Sequence, residues 1–304
     1  MSGDGVVDLL LLPLVLLLIL TLLWREGEVL IGIGGAGLLY LPLDKHITII
    51  GPTRSGKTRL AKKIAKRSGA KVIVLDWNGE YDLGLRVKAQ NLKINISKLN
   101  KKILVELIGL SINLNEPSIY FMYRAIRDYQ IKSPRDLIRA LDSYLTTTKS
   151  ETEMKAAILR RLEYVFDIIS NGKINVEKIV KSRRSFTIDL SDLSLVEEKV
   201  LISSLILTYI YNYFRKSNIS KKIKLIIIME ESQNLVNAAI IRHLFAEIAK
   251  YGVRVVMVSN VIPPPEMIVH SNVVIVKPHT LYDLKINKSS IIINDKIYRV
   301  YKFL

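Results

Sequence analysis

A doubly wound α/β core with a mainly parallel sheet is the fold class this sequence predicts. Three observations lead there. Short, almost unbroken apolar runs (HITII, KVIVLD, KLIIIM, VRVVMVS) recur along the chain, as strands buried on both faces of a parallel sheet require. Helical periodicity fills the stretches between them. A glycine-rich loop joins the first of these strands directly to the first of these helices.

The N-terminus comes first. Val6 to Leu23 reads VVDLLLLPLVLLLILTLL. At ~1.5 Å per residue, a helix from Val6 to Trp24 spans about 28 Å, close to one hydrocarbon core. Asp8 is the only charge and sits at the outer end, where headgroups solvate it. Pro13 is tolerable in a membrane helix. Trp24 and Arg25 supply an interfacial ring and a positive flank, while the preceding tail is acidic and lacks Lys and Arg. The expectation is a single-pass anchor within residues 1–25, with the N-terminus outside and the body in the cytoplasm at the cell membrane. A cleaved signal peptide would need a basic n-region and a small-residue cleavage site, and both are missing. A buried core helix this long and this rich in Leu would be unusual.

Residues 26–45 carry two apolar runs around a Gly-rich turn, EVLIGIGGAGLLYLPL, which reads as a β-hairpin. Gly32, Gly34 and Gly37 satisfy G-x-G-x-x-G, but a strand-like LLYLPL follows, so a dinucleotide fingerprint is rejected. Residues 46–304 form the expected core. HITII leads into GPTRSGKT and the basic helix RLAKKIAKRS, and KVIVLDW is a second strand. Residues 92–180 read as a mostly helical insertion, whose segments open on an N-cap or a first-turn Pro. FTIDL returns to the sheet, EEKVLISSLILTYIYNYFRK is a long helix, and KLIIIMEE ends in two carboxylates. The helix AAIIRHLFAEIAKYG and the strands VRVVMVS and VVIVK follow.

Composition narrows the chemistry. The absence of Cys removes disulfide frameworks, thiolate metal sites and cysteine nucleophiles together. The four His, at 46, 243, 270 and 279, have no metal-site spacing. Lys plus Arg is 45 against 28 Asp plus Glu, a formal charge of +17. Such a balance suits an anionic partner, either nucleic acid, nucleotide or a membrane face. It also suits a protein from a Lys/Ile-rich, thermophilic proteome. The basic residues are spread along the chain, so charge alone marks no patch.

Gly51-Pro52-Thr53-Arg54-Ser55-Gly56-Lys57-Thr58 matches G-x-x-x-x-G-K-[ST] in full, at a strand-to-helix junction. Backbone N–H groups of such a loop and the positive end of the next helix wrap phosphates. Gly51 and Gly56 allow close approach, Lys57 neutralises β/γ oxygens, and the Thr58 hydroxyl binds Mg²⁺. Residues 51–59, Arg59 included, are the expected ATP site. Glu230, at the tip of KLIIIMEE, is assigned to Mg²⁺. Glu231 beside it is assigned to the attacking water as general base. Two solvated acids at a strand end are the bland alternative. No N/T-K-x-D guanine-reading motif is present, and a kinase does not require an adjacent glutamate pair.

Three further stretches are similar to segments of HerA/FtsK-type ATPases. Leu75-Asp76-Trp77-Asn78-Gly79-Glu80-Tyr81 resembles their D-x-x-G-E-Y. Ile188-Asp189-Leu190-Ser191 resembles their I-D-L-S, and Lys250-Tyr251-Gly252-Val253 with VVMVSN resembles their K-Y-G strand. His46 before the first strand is another frequent feature of that family. The resemblance covers roughly residues 28–280. It implies a RecA-like P-loop core that uses ATP and Mg²⁺, assembles as a homo-hexameric ring and moves double-stranded DNA through its pore. Asn260 stands where the family usually has Gln, and Ser232 and Gln233 stand where it commonly continues E-A-H. A ring motor needs an arginine reaching into the neighbouring site. Arg160 and Arg161 are the first candidates, with Arg242 and Arg254 behind them. DNA would be held by its backbone phosphates, with little base readout. A membrane channel is an expected further partner. The competing functions are a secretion or pilus-assembly ATPase with protein cargo, a scaffold whose assembly nucleotide regulates, and DNA-end processing with a nuclease partner.

Overall fold

The computed structural model describes residues 27–34, 37–170, 172–236, 239–276 and 290–302. The anchor expected over residues 6–24 lies outside the described residues. Among those described, no helix is long and apolar enough to cross a membrane.

The hairpin forms as its two apolar runs require. β1 (Glu28–Gly34) pairs antiparallel with β2 (Gly37–Pro42). Gly37 takes φ 103, a backbone only glycine adopts freely. The apolar runs that follow become the parallel strands β3 (His46–Ile50), β4 (Lys71–Asp76), β8 (Phe186–Asp189), β9 (Leu225–Met229), β10 (Val253–Ser259) and β11 (Ser271–Val276), joined in the same sheet by the mostly exposed β5 (Leu85–Lys88). Their order is β11-β3-β10-β9-β4-β8-β5. β3, β9 and β10 are buried at every residue, the signature of strands covered on both faces.

The structure adds elements that the sequence reading passes over. β5 extends the sheet at one edge, parallel to β8. At the other side, β12 (Ser290–Ile293) and β13 (Lys296–Lys302) form an antiparallel hairpin next to β11, and β13 also pairs with β1. Among the described residues the sheet therefore has eleven strands and takes in the N-terminal hairpin.

Helices cover both faces. α1 (Lys57–Arg67) lays Leu60, Ala61 and Ile64 against β1 and β2, whose Val29, Ile31 and Leu41 share that core. The other face takes the insertion. It holds α2 (Lys101–Ser111), α3 (Glu116–Ile126), α4 (Pro134–Ser143), α5 (Lys149–Ser170) and the short α6 (Val176–Lys181). Asn100, Asn115 and Ser133 cap α2, α3 and α4 by accepting from backbone N–H groups of the first turn. The two-residue strands β6 (Leu92–Lys93) and β7 (Ile174–Asn175) tie the ends of the insertion together. α7 (Val196–Phe214) and α8 (Ala239–Ile248) complete this larger core. Leu205, Ile206 and Ile210 of α7 are fully buried, each contributing about 1.5–3 kcal/mol of apolar burial. The one-turn α9 (Pro265–Ile268) links β10 to β11.

Seven parallel strands give the sheet two unlike rims. Their carboxyl ends carry the phosphate loop and the tips of β4, β9 and β10. Their amino ends receive the loops that return under the sheet.

Candidate nucleotide site

The site is built at the carboxyl rim, beside the strand where neighbours on either side come from late in the chain, as open α/β sheets favour. β3 ends at Ile50 and the loop turns at once into α1. Arg54 (φ 63) and Gly56 (φ 100) hold left-handed backbone there. A Cβ on Gly51 would meet the Val276 carbonyl at 2.5 Å and Ser55 Oγ at 2.8 Å, so glycine is required by space.

β3 and β10 are neighbours, and so are β10 and β9. This adjacency brings the strand tips to the loop. Lys57 Nζ donates to the Gly51 and Pro52 carbonyls and to Asn260 Oδ1, each at 2.8 Å. Thr58 Oγ1 donates to Glu230 Oε1 at 3.1 Å. Asn260 Nδ2 reaches toward Glu231 Oε2 at 3.5 Å. Glu231 sits at φ 46, a strained backbone for a residue with a Cβ, and Gln233 Nε2 donates to its carboxylate. Gln233 is held in turn by the Ser259 hydroxyl at 3.2 Å. Thr53 and Arg54 on the loop and Arg59 in the first turn of α1 are exposed.

Charge is concentrated at this rim. Burial pushes the Glu230 carboxyl up to about 8, and Asp76 and Glu80 push the same way against the Thr58 hydrogen bond. Partial burial pulls the Lys57 ammonium below the usual lysine range, while Glu231 and Glu230 oppose that shift. Asp76 is fully buried and accepts from the backbone N–H groups of Gly79, Glu80 and Tyr81 at 2.9–3.1 Å. It therefore folds the D-x-x-G-E-Y segment into a turn that delivers Tyr81 into the site. Burial, then Glu230, raises the Tyr81 phenol well above the usual range.

Mg²⁺ and a triphosphate fit this donor set. Ser55 Oγ, Tyr81 Oη and the second oxygen of Glu230 are buried without a hydrogen-bond partner. Such orphaned polar atoms call for a ligand. Among the described residues no group of three or more His, Asp and Glu is placed to hold a metal alone. Thr58 and Glu230 are the two side chains that would hold such a cation, a protein ligand set small enough to suit Mg²⁺.

The remaining sequence-picked residues fall elsewhere. Arg160 and Arg161 are exposed on α5, in the insertion. Arg161 donates to the Ile112 carbonyl at 3.0 Å. Among the described residues no hydrogen bond or ion pair joins either one to the phosphate loop of its own chain. Arg242 donates to the Val236 carbonyl at 3.3 Å. Arg254, a lesser candidate for that role, is buried instead and braces the amino rim, donating to the carbonyls of Leu43 and Ala249 at 2.8 Å. A guanidinium spent inside its own chain does not reach a neighbour. Asp189 and Gly252 are structural too. Asp189 accepts from Ser191 and pairs with Arg86 at 2.8 Å. Gly252 turns at φ 80 where a Cβ would strike the Lys222 carbonyl.

Residues 40–210, more than half of the chain, match the family model described as the central domain of helicase HerA. No curated protein sequence matches. Among solved structures, VirB4 of Thermoanaerobacter pseudethanolicus superposes with a TM-score of 0.62 at 14% identity, over 91% of this chain and 96% of that one. The bacterial conjugative coupling protein TrwBdeltaN70 gives 0.60 at 12%, over 82% and 72%. TrwB in complex with ADP and Mg²⁺ gives 0.58 at 12%, over 82% and 75%.

Proposed function

The chain belongs to the HerA central-domain family, and from that premise we propose that it is a membrane-anchored, Mg-dependent ATPase that forms a ring and moves double-stranded DNA. The observation that carries this reading is the junction of Lys57, Asn260 and Glu231 at one rim, with Thr58 on Glu230 beside it. The ADP and Mg²⁺ bound by TrwB support the same pair of ligands here.

Each residue has a task in that chemistry. Lys57 turns from the Gly51 and Pro52 carbonyls to neutralise β/γ oxygens. Thr58 and Glu230 would hold Mg²⁺, which would supply positive charge to offset that developing on the transferred group. Glu231, strained and gripped by Gln233, accepts a proton from the attacking water. Asn260 spans Lys57 and Glu231 even with its short side chain, so the departure from Gln leaves a polar bridge in place. Arg160 or Arg161 supplies charge to the next subunit. The anchor over residues 6–24 fixes the motor to the membrane, and +17 of net charge suits a polyanionic cargo. TrwB is a bacterial conjugative, plasmid coupling protein, which also supports DNA as the cargo.

The test is phosphate release by the full chain with Mg-ATP, with and without duplex DNA. DNA-stimulated release, reduced to background by Lys57→Ala and by Glu231→Gln, is expected. Release at the level of Lys57→Ala under every condition overturns the motor. Release indifferent to duplex DNA at low salt assigns the cargo to protein instead.

A further inference from the structure

Where the polypeptide enters the sheet, and what surrounds that entry, has a consequence for the opposite rim. Gly27 accepts a hydrogen bond from the Leu43 N–H at 2.8 Å, and the Leu43 carbonyl is held by Arg254 Nε at 2.8 Å. Pro42 is held by Asn272 Nδ2 at 2.9 Å. Arg254 and Asn272 lie at the amino ends of β10 and β11. Gly27 is therefore fixed on the amino rim, the rim away from the nucleotide site. The apolar run Val6–Leu23 ends four residues before it. At ~3.3–3.6 Å per extended residue, those four cover at most about 14 Å.

The amino rim is basic. Arg183 and Arg184 lead into β8, and Lys221, Lys222 and Lys224 lead into β9. All five are exposed, and among the described residues no carboxylate pairs with them. Acids nearby are engaged elsewhere: Glu247 with Lys250 at 2.7 Å, Glu177 with Lys98 and Lys181 at 2.7 and 2.8 Å. Asp44, which accepts from Asn272 Nδ2 at 2.9 Å, and Glu266 are exposed at the entries to β3 and β11. Two aliphatic side chains project on this rim, Ile219 at 77% exposure just before Lys221 and Lys222, and Val269 at 68% beside Lys45, whose Nζ donates to its carbonyl at 3.5 Å. The acids Asp76, Glu80, Glu230 and Glu231 are all at the other rim.

We propose that the amino rim is a docking face for anionic phospholipid headgroups and holds the ATPase core flat against the bilayer. The proposal rests on the anchor reading above. Clustered Lys and Arg close to a membrane are attracted by the negative surface potential of its lipids. Exposed aliphatic side chains between them have an apolar layer to enter. A DNA backbone would satisfy the cations, but it offers nothing to Ile219 and Val269 and is not tethered within about 14 Å of the rim.

The chain has no Cys, so single-cysteine labelling is direct. Asn218→Cys labels the amino rim, and Asn78→Cys labels the carboxyl rim as control. The full chain is placed in nanodiscs of phosphatidylcholine alone, or with phosphatidylglycerol, each carrying a headgroup quencher. Quenching at position 218 is expected to rise about threefold with phosphatidylglycerol. It should fall back at high salt and in the Arg183→Glu, Arg184→Glu, Lys221→Glu, Lys222→Glu variant, while position 78 stays unquenched. Equal quenching at 218 in both discs, with the chain inserted in both, overturns the docking face and leaves the anchor standing. A chain that enters neither disc overturns the anchor and the docking face with it. Loss of duplex-DNA binding in the charge-reversed variant with lipid quenching intact assigns the rim to DNA and overturns the proposal. The comparison of discs uses the native surface charges, so it does not depend on that variant folding.

Discussion

His46 shows how one side chain can carry a pH dependence. Its Nδ1 accepts from the Val255 N–H at 3.0 Å, so Nε2 carries the proton and donates to the Phe245 carbonyl at 2.8 Å. Burial lowers its pKa from 6.5 to about 3. The Phe245 carbonyl opposes the shift, and Arg254 and His270 add to it. Between those values the unfolded chain binds the proton and the folded chain does not. The stabilisation is therefore complete above about pH 6.5 and is lost as pH falls toward 3, at about 1.4 kcal/mol per unit. The raised Glu230 carboxyl contributes an opposite slope in both proteins, so the difference in urea-unfolding free energy between the wild type and His46→Gln should follow this slope from pH 6.5 to 4. Tyr81→Phe is a second test at this scale. Removing the phenol beside Thr58 and Glu230 should raise the Mg²⁺ needed for half-maximal phosphate release several-fold and change kcat less. An unchanged Mg²⁺ requirement would separate Tyr81 from the metal. The loop 51–58 was legible because its function is written in consecutive residues. Tyr81, Gln233 and His46 were not, since each acts through partners distant in sequence or a turn that only folding creates. The D-x-x-G-E-Y resemblance was the available signal for Tyr81.

Among elements, the buried strands announced themselves by unbroken apolar runs, and the insertion helices by their caps. β5 did not, because an edge strand of four residues, Leu-Arg-Val-Lys, buries only Val87. Its placement depends on Gly84 at φ 69, where a Cβ would lie 2.2 Å from the Ser185 carbonyl. Gly84→Ala should destabilise the protein by about 1–3 kcal/mol. Hydrogen exchange should rise first at residues 85–88. It should rise next at Gly79 and Asp189, which Arg86 of β5 holds at 3.1 and 2.8 Å. Protection unchanged at 85–88 would show that β5 does not depend on this turn. The β12–β13 hairpin did leave a signal, since Asn294 and Asp295 take φ 45 and 67 in a two-residue turn that favours those residue types.

At the scale of the whole molecule, the sheet separates two cores, with the phosphate helix on one face and the insertion on the other. Arg160 and Arg161 lie on the insertion face, so their role requires a second copy of the chain. Replacing both by Ala should lower phosphate release by about 10³–10⁵ if either completes a neighbouring site. Mixing that variant with Lys57→Ala should recover release that neither shows alone, and no recovery would remove both arginines from the mechanism. The DNA-dependent part of the rate should weaken steeply with salt, because each phosphate contact releases counterions. None of this assembly was legible from one sequence beyond the family resemblance, because an interface is a property of two surfaces and the sequence order describes one.

The imidazole of His46 fastens β3 to β10 at the amino ends, while their far ends bear Lys57 and Asn260. The pair is built like a tuning fork, with its stem clamped and its two prongs reaching the phosphate seat. Sliding of one strand along the other is blocked at the stem. On the proposed function, a stroke would begin as a change in the gap between the prong tips, passed outward through the segment that follows Ser259.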